Sequence, residues 1–253
     1  MLEPGCDSSR SALPGYEDWS VPTAAGYSLP AWWRAGANGA AVILLPGNGG
    51  SRDTLLPDAE ILSSHGYGVL SLSPRACLGL RSTLGLREAA DLKSAAALVA
   101  RQPGVEWIAV LGFSAGGTAA ILGALDTPQI RAVIAEGHFR SLEYEIENSR
   151  PAPLSTEWQA QRWIELWYRL RSSAWPAQVS PIDTLPGLQP RPVLLVFGER
   201  EADNAGAADQ LAAAGPSAEL WIVPGAGHGG YLQANPREYE ARLLGFLESA
   251  RLP

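Results

Sequence analysis

Gly112-Phe113-Ser114-Ala115-Gly116-Gly117 lies between an apolar run ending at Leu111 and an alanine-rich run beginning at Thr118. A serine framed by glycines two residues to either side, where a strand passes into a helix, is the pattern of a nucleophile elbow. The chemistry demands that spacing. To stand clear at a strand tip, Ser114 needs a strained, positive-φ backbone. The flanking segments then pack so closely that a Cβ at 112 or 116 would clash. Taken alone the motif is ambiguous, because a chain with 27 glycines also produces such matches as ordinary turns. The pattern around it has to decide.

Working outward, Glu106 to Gly112 reads as the strand entering the elbow and Ala115 to Leu125 as the helix leaving it. Upstream, Ala41 to Leu45 is a continuous apolar run, the signature of a strand buried on both faces. It ends in the glycine-rich turn Pro46 to Ser51. Tyr67 to Leu72 is a further strand, and helices are expected around Pro57 to Ser64 and Leu86 to Arg101. Tyr16 to Thr23 and Ser28 to Arg34 form an expected antiparallel hairpin. Downstream, strands are expected at Ile130 to Ala135, Arg191 to Phe197 and Ala218 to Val223, with helices at Ala205 to Ala214 and Pro236 to Ala250. Strands alternating with helices predict one α/β domain, built on a mostly parallel sheet covered on both faces. The first fifteen residues are polar and turn-rich and are expected to form a loose tail.

The stretch from about Phe139 to Asp183 breaks the alternation and holds four of the nine tryptophans. Thr156 and Gln159 are spaced as a capping box for a helix running to about Ser172. On it Trp163, Leu166, Trp167 and Leu170 share a face. That face either packs on the core or, as a cap, overhangs a substrate pocket with Trp163 and Trp167 lining it.

Composition removes several classes. With a net charge of −7 and no basic cluster, nucleic acid is not an expected partner. Two cysteines far apart in sequence argue against a disulfide, and with three histidines at no ligand spacing they give little support for a metal site. No secretory leader core or long apolar span is present, so no membrane partner is expected and the protein is expected in the cytoplasm.

Three positions join Ser114. His228, in Pro224-Gly225-Ala226-Gly227-His228-Gly229-Gly230, follows the last strand, where a loop can reach back over the sheet edge. Its ordinary pKa suits it to take and return a serine proton near neutrality. A carboxylate to orient that imidazole should follow the preceding strand, and Gly198-Glu199-Arg200-Glu201-Ala202-Asp203 offers several. Glu201 is the preferred reading and Asp203 the alternative. The turn at Pro46 to Ser51 can aim a backbone N–H, here that of Asn48, at a developing oxyanion, with Ala115 N–H as the second donor. It has no Gly-Lys-Ser/Thr ending and no dinucleotide-binding spacing, which excludes the phosphate-loop alternative.

Together these pieces resemble the α/β-hydrolase superfamily, and are most similar to prolyl-oligopeptidase-type catalytic domains and the small serine esterases grouped with them. The resemblance runs through Leu45 to Arg52, His65 to Leu70, Glu88 to Leu92, Gly112 to Gly117, Ser180 to Asp183, Pro192 to Glu199 and Gly225 to Gly230. It implies an α/β-hydrolase fold with an eight-stranded sheet and a short helical cap inserted at about 139–183. The activity implied is cofactor-independent hydrolysis of small to medium hydrophobic carboxylic esters through an acyl-enzyme. Peptidase, thioesterase, acyltransferase and lyase activities use similar machinery, and a non-catalytic ligand-binding role on the same fold is the competing class. Three departures stand out. Pro46-Gly47 replaces the usual His-Gly, Glu201 stands where the family's Gly-Glu-x-Asp motif has its aspartate, and Arg75-Ala76-Cys77-Leu78-Gly79 replaces Arg-Gly-x-Gly.

Overall fold

Eight strands form one sheet in the order β1-β2-β4-β3-β5-β6-β7-β8. The computed structural model describes residues 6, 12–148, 163, 166–170 and 172–252. β1 (Glu17–Pro22) and β2 (Ser28–Arg34) make the expected hairpin, and β2 runs antiparallel to β4 (Gly68–Leu72). From β4 the sheet continues in parallel through β3 (Ala40–Leu45), β5 (Trp107–Phe113), β6 (Ile130–Glu136), β7 (Val193–Gly198) and β8 (Ala218–Val223).

Every residue of β3 is buried, as its unbroken apolar run requires, and its side chains serve two cores by strict alternation. Ala41, Ile43 and Leu45 join the core on one face, which α2 (Leu86–Val99) and α3 (Ala115–Leu125) cover. Ala40, Val42 and Leu44 join the core on the other face, under α1 (Leu56–Ser64) and the C-terminal helix Pro236–Arg251. The central strands are therefore covered on both sides.

Between β6 and β7 the chain leaves the alternation. α4 (Leu142–Asn148) is followed by a helical stretch at 166–170, and the expected capping box at Thr156 and Gln159 lies outside the described residues. Tyr168 turns inward, donating its hydroxyl to the Thr83 carbonyl at 2.8 Å and packing on the small cluster of Leu142, Ile146 and Val179. Its neighbours face the other way: Trp163, Trp167 and Leu170 are 58%, 60% and 63% exposed. The shared apolar face is real in spacing, but it does not pack on the core.

One expectation from the cysteines needs correction. Cys6 and Cys77 form a disulfide, with Cα atoms 5.0 Å apart despite a sequence separation of 71. Separation along the chain says nothing about proximity once β1 to β4 have folded back on themselves. The bond ties the expected loose tail at Cys6, while residues 1–5 and 7–11 lie outside the described residues. The Cys6 and Cys77 sulfurs sit 3.8 and 3.6 Å from the carbonyl oxygen of Gly50, so the bond abuts the glycine-rich turn after β3. The segment Arg75–Leu78, where the sequence departs from the family pattern, is a short 3₁₀ turn. Arg75 is buried there and grips Asp91 through two hydrogen bonds of 2.9 and 2.8 Å, so this arginine is a structural clamp between the loop and α2.

Candidate active site

Ser114 is held in a strained turn between β5 and α3. It has φ 54°, a value that costs a non-glycine residue of order 1–3 kcal/mol and survives only where the surroundings enforce it. Its N–H donates to the Glu136 carbonyl at 2.7 Å, pinning the elbow to the end of β6. A Cβ at Gly112 would run into the Gly116 carbonyl, and one at Gly116 into the Leu45 carbonyl, so both flanking glycines are fixed by close approach.

β7 and β8 are neighbours, and the loops leaving them are laced together. Glu199 accepts from Gly225 N–H at 2.8 Å, and Arg200 donates to the Gly225 carbonyl at 2.8 Å. That lacing carries His228 toward Glu201. His228 Nδ1 lies 2.7 Å from Glu201 Oε2, and His228 Nε2 lies 3.1 Å from Ser114 Oγ. Of the three carboxylates in the loop, Glu199 is taken by the backbone, Asp203 is exposed, and Glu201 meets the histidine.

The geometry fixes the tautomer. Nδ1 faces a carboxylate and must carry the proton, leaving Nε2 as the acceptor for the serine hydroxyl. The hydrogen bond with Glu201 raises the His228 pKa above its ordinary value, against the opposing effect of partial burial. Burial pushes the Glu201 carboxyl up, but hydrogen bonds from His228, Tyr231 and the Gly198 N–H outweigh it, and the group lies below its ordinary value.

The turn after β3 touches the same point. Gly47 is packed so closely on Ser114 that a Cβ there would sit 3.0 Å from the serine Cβ. Asn48, next in the turn, is exposed, and Ala115 opens α3 with the free N–H of a helix start. Among the described residues, neither the Asn48 nor the Ala115 N–H donates a hydrogen bond in a turn, loop or cap.

A cavity of about 330 Å³ opens beside His228. Phe113, Leu55, Tyr231 and Leu232 supply its apolar wall, and Asp58, Glu136 and Tyr239 also line it. Neither Trp163 nor Trp167 is among the described residues lining that cavity, so the structure does not bring the two tryptophans to this part of the site. His65 is exposed at the end of α1, and His138 is buried against Gln210 at 2.9 Å. Among the described residues, no three histidine, cysteine or carboxylate side chains are grouped so as to hold a metal ion.

A sequence profile described as the alpha/beta hydrolase family matches residues 42–242. The chain belongs to that family. No curated protein matches this chain at a significant level. Among solved structures it is similar to the esterase Pf2001 of Pyrococcus furiosus, with 24% identity, a TM-score of 0.74, and coverage of 98% of this chain and 97% of that one. It is also similar to the alpha/beta hydrolase GrgF from Penicillium, at 20% identity and a TM-score of 0.69 over 93% of this chain and 98% of that one. A dienelactone hydrolase from Anabaena variabilis follows at 21% and 0.63, over 91% and 98%. At these identities the structural likeness speaks for the fold.

Sequence reasoning missed four residues of the site region. Tyr231 follows His228 by three positions, and its hydroxyl donates to Glu201 Oε1. Asp58, Glu136 and Tyr239 form a buried cluster beneath the cavity, with Tyr239 Oη bonded to Asp58 and 2.8 Å from Glu136. The one available signal was Gly229-Gly230-Tyr231, two glycines that let the chain turn straight back toward the histidine.

Proposed function

We propose that the protein is a serine hydrolase of carboxylic esters, acting on small to medium hydrophobic substrates through an acyl-enzyme. The observation that carries the reading is the unbroken chain of contacts from Ser114 Oγ through His228 to Glu201 at one edge of the sheet. Ser114 attacks the ester carbonyl while His228 Nε2 takes its proton. Glu201 stabilises the imidazolium without becoming protonated itself. The N–H groups of Asn48 and Ala115 hold the oxyanion, and each such donor is typically worth about 3–4 kcal/mol in the transition state. His228 then protonates the departing alcohol, and water, deprotonated by the same histidine, releases the acid. No cofactor or metal enters this sequence.

The cavity beside His228 is large enough for a small organic group, and its Phe113, Leu55 and Leu232 wall suits a hydrophobic one. The esterase and dienelactone hydrolase among the similar structures lend support at the level of reaction type. A series of p-nitrophenyl esters from short to long acyl chains tests the reading, with Ser114→Ala as control. Hydrolysis by the native chain alone, with labelling of Ser114 by a fluorophosphonate, is expected. Equal rates for both proteins and no labelling would overturn it in favour of a binding role.

The expected cytoplasmic setting is opposed by one feature. Structural disulfides persist in oxidising compartments, and Cys6–Cys77 is one. Among the described residues no helix is long and apolar enough to cross a membrane.

A further inference from the structure

The acid that His228 meets is a glutamate, at the position where the motif of the family the sequence resembles has an aspartate, and the extra methylene has a cost. A glutamate side chain has one more freely rotating bond, and its carboxylate can leave the imidazole by a single rotamer change. Fixing it requires partners for both oxygens. Here Oε2 meets His228 Nδ1 at 2.7 Å, while Oε1 takes the Gly198 N–H at 2.9 Å and the Tyr231 hydroxyl. The Gly198 bond belongs to the turn itself. The Tyr231 bond is the addition, and it comes from the loop that carries the histidine.

Tyr231 is well placed for the task. It is 3% exposed, and its ring meets Phe113 edge-on at 6.1 Å, so the hydroxyl has little freedom to wander. Phe113 also packs on the His228 ring at 5.1 Å, so one aromatic residue steadies both the histidine and the tyrosine. Gly137 completes the arrangement. It has φ 54°, and a Cβ there would stand 2.5 Å from Tyr231 Oη and 3.2 Å from His228 Nδ1. The space through which the tyrosine reaches the carboxylate exists because this position has no side chain.

We infer that Tyr231 is a positioning residue, whose hydroxyl locks the longer Glu201 side chain onto His228 Nδ1 and lets a glutamate serve in place of an aspartate. The inference rests on the hydrolase reading above. Tyr231 acts through Glu201 and touches no reacting atom. Its hydroxyl stays protonated as a donor, because burial and the hydrogen bond to Glu201 hold its pKa well above the ordinary value.

The test is a double-mutant cycle of Tyr231→Phe and Glu201→Gln, read on a soluble p-nitrophenyl ester as kcat, KM and the pH dependence of kcat/KM. Loss of one hydrogen bond to a charged group predicts that Tyr231→Phe lowers kcat about 10- to 100-fold, with KM nearly unchanged. The acid limb of the profile should move to lower pH, because a carboxylate that spends less time on Nδ1 raises the histidine less. In the Glu201→Gln background the same substitution should change kcat little, since the group it acts through is gone. Equal losses in both backgrounds, or full activity in Tyr231→Phe, would overturn the role. A melting temperature taken alongside separates lost packing, which lowers it in both backgrounds, from lost positioning. Fluorophosphonate labelling keeps the two ideas apart. If Ser114 of the native chain does not label, the hydrolase reading falls and this inference with it. If it labels at full rate in Tyr231→Phe too, only the positioning role falls.

Discussion

Two tyrosine–glutamate pairs sit within one end of this fold, and they are built to opposite ends. Tyr231 donates to Glu201, and Tyr239 meets Glu136 at 2.8 Å. Glu201 has two further partners, the Gly198 N–H and the His228 imidazole, and its side chain keeps 16% exposure. It lies below its ordinary pKa and is ionised at neutrality. Glu136 has no such company. It is buried beneath the cavity and shares the Tyr239 hydroxyl with a second buried carboxyl, Asp58. One phenolic hydrogen cannot serve two carboxylates, so one of the acids must keep its own proton. Burial, reinforced by the nearby Asp58 charge, pushes Glu136 up to about 8. The lesson is that a tyrosine neighbour does not set the charge of a carboxyl. What decides is how many donors reach it and whether a second acid competes for them.

The largest effect should separate the pairs by function. Glu201→Gln is expected to lower kcat by about 10⁴-fold, as for triad acids generally, while Glu136→Gln leaves kcat nearly intact. The reverse ranking in steady-state kinetics would mean that the buried pair holds the catalytic acid. The second effect separates them by stability. Tyr239→Phe strips a hydroxyl donor shared by two buried carboxyls and should cost about 1–3 kcal/mol in denaturant unfolding. A loss of activity with unchanged stability would break the comparison.

The third effect is one of pH, with opposite signs for the two sites. His228 is raised by Glu201, so kcat/KM should fall with decreasing pH along a limb whose midpoint lies above the ordinary histidine value of 6.5. Glu201→Gln should bring that midpoint down. Glu136 binds its proton more tightly folded than unfolded, where its value is near 4.5. Its stabilising contribution is therefore full below that value and is lost as pH rises through about 8. Melting temperatures across this range should decline less steeply in Glu136→Gln, and an unchanged slope would remove the proton-sharing account. The smallest effect is expected from Asp203→Asn, because that carboxylate is exposed and away from His228, and kcat should stay within about twofold, as for surface substitutions.

The sheet was legible in the sequence because burial on both faces writes itself as unbroken apolar runs, such as Val193 to Phe197. The elbow was legible for another reason: two backbones meeting at Ser114 exclude every residue but glycine at 112 and 116. Glu136 was not. The strand was read to end at Ala135, since a charged residue there resembles a solvated edge, and its partner Tyr239 lies 103 residues away on a helix. The direction of the Trp-rich face was not legible either. Spacing shows that Trp163, Trp167 and Leu170 share a face, but not which way it points, and Tyr168 took the inward position by finding an acceptor at Thr83.

The Cys6–Cys77 bond has a topological side. It closes a covalent ring of some seventy residues that encloses β1 to β4, the half of the sheet assembled before the elbow is reached. In the chain-entropy account, closing a ring of that size removes about 4 kcal/mol of freedom from the unfolded chain. The bond also lies against the Gly50 carbonyl, so the covalent link rests beside the turn that approaches Ser114. Shortening the chain past Cys6 would therefore do more than trim an end. It would open the ring and leave a lone Cys77 thiol against the turn that carries Asn48.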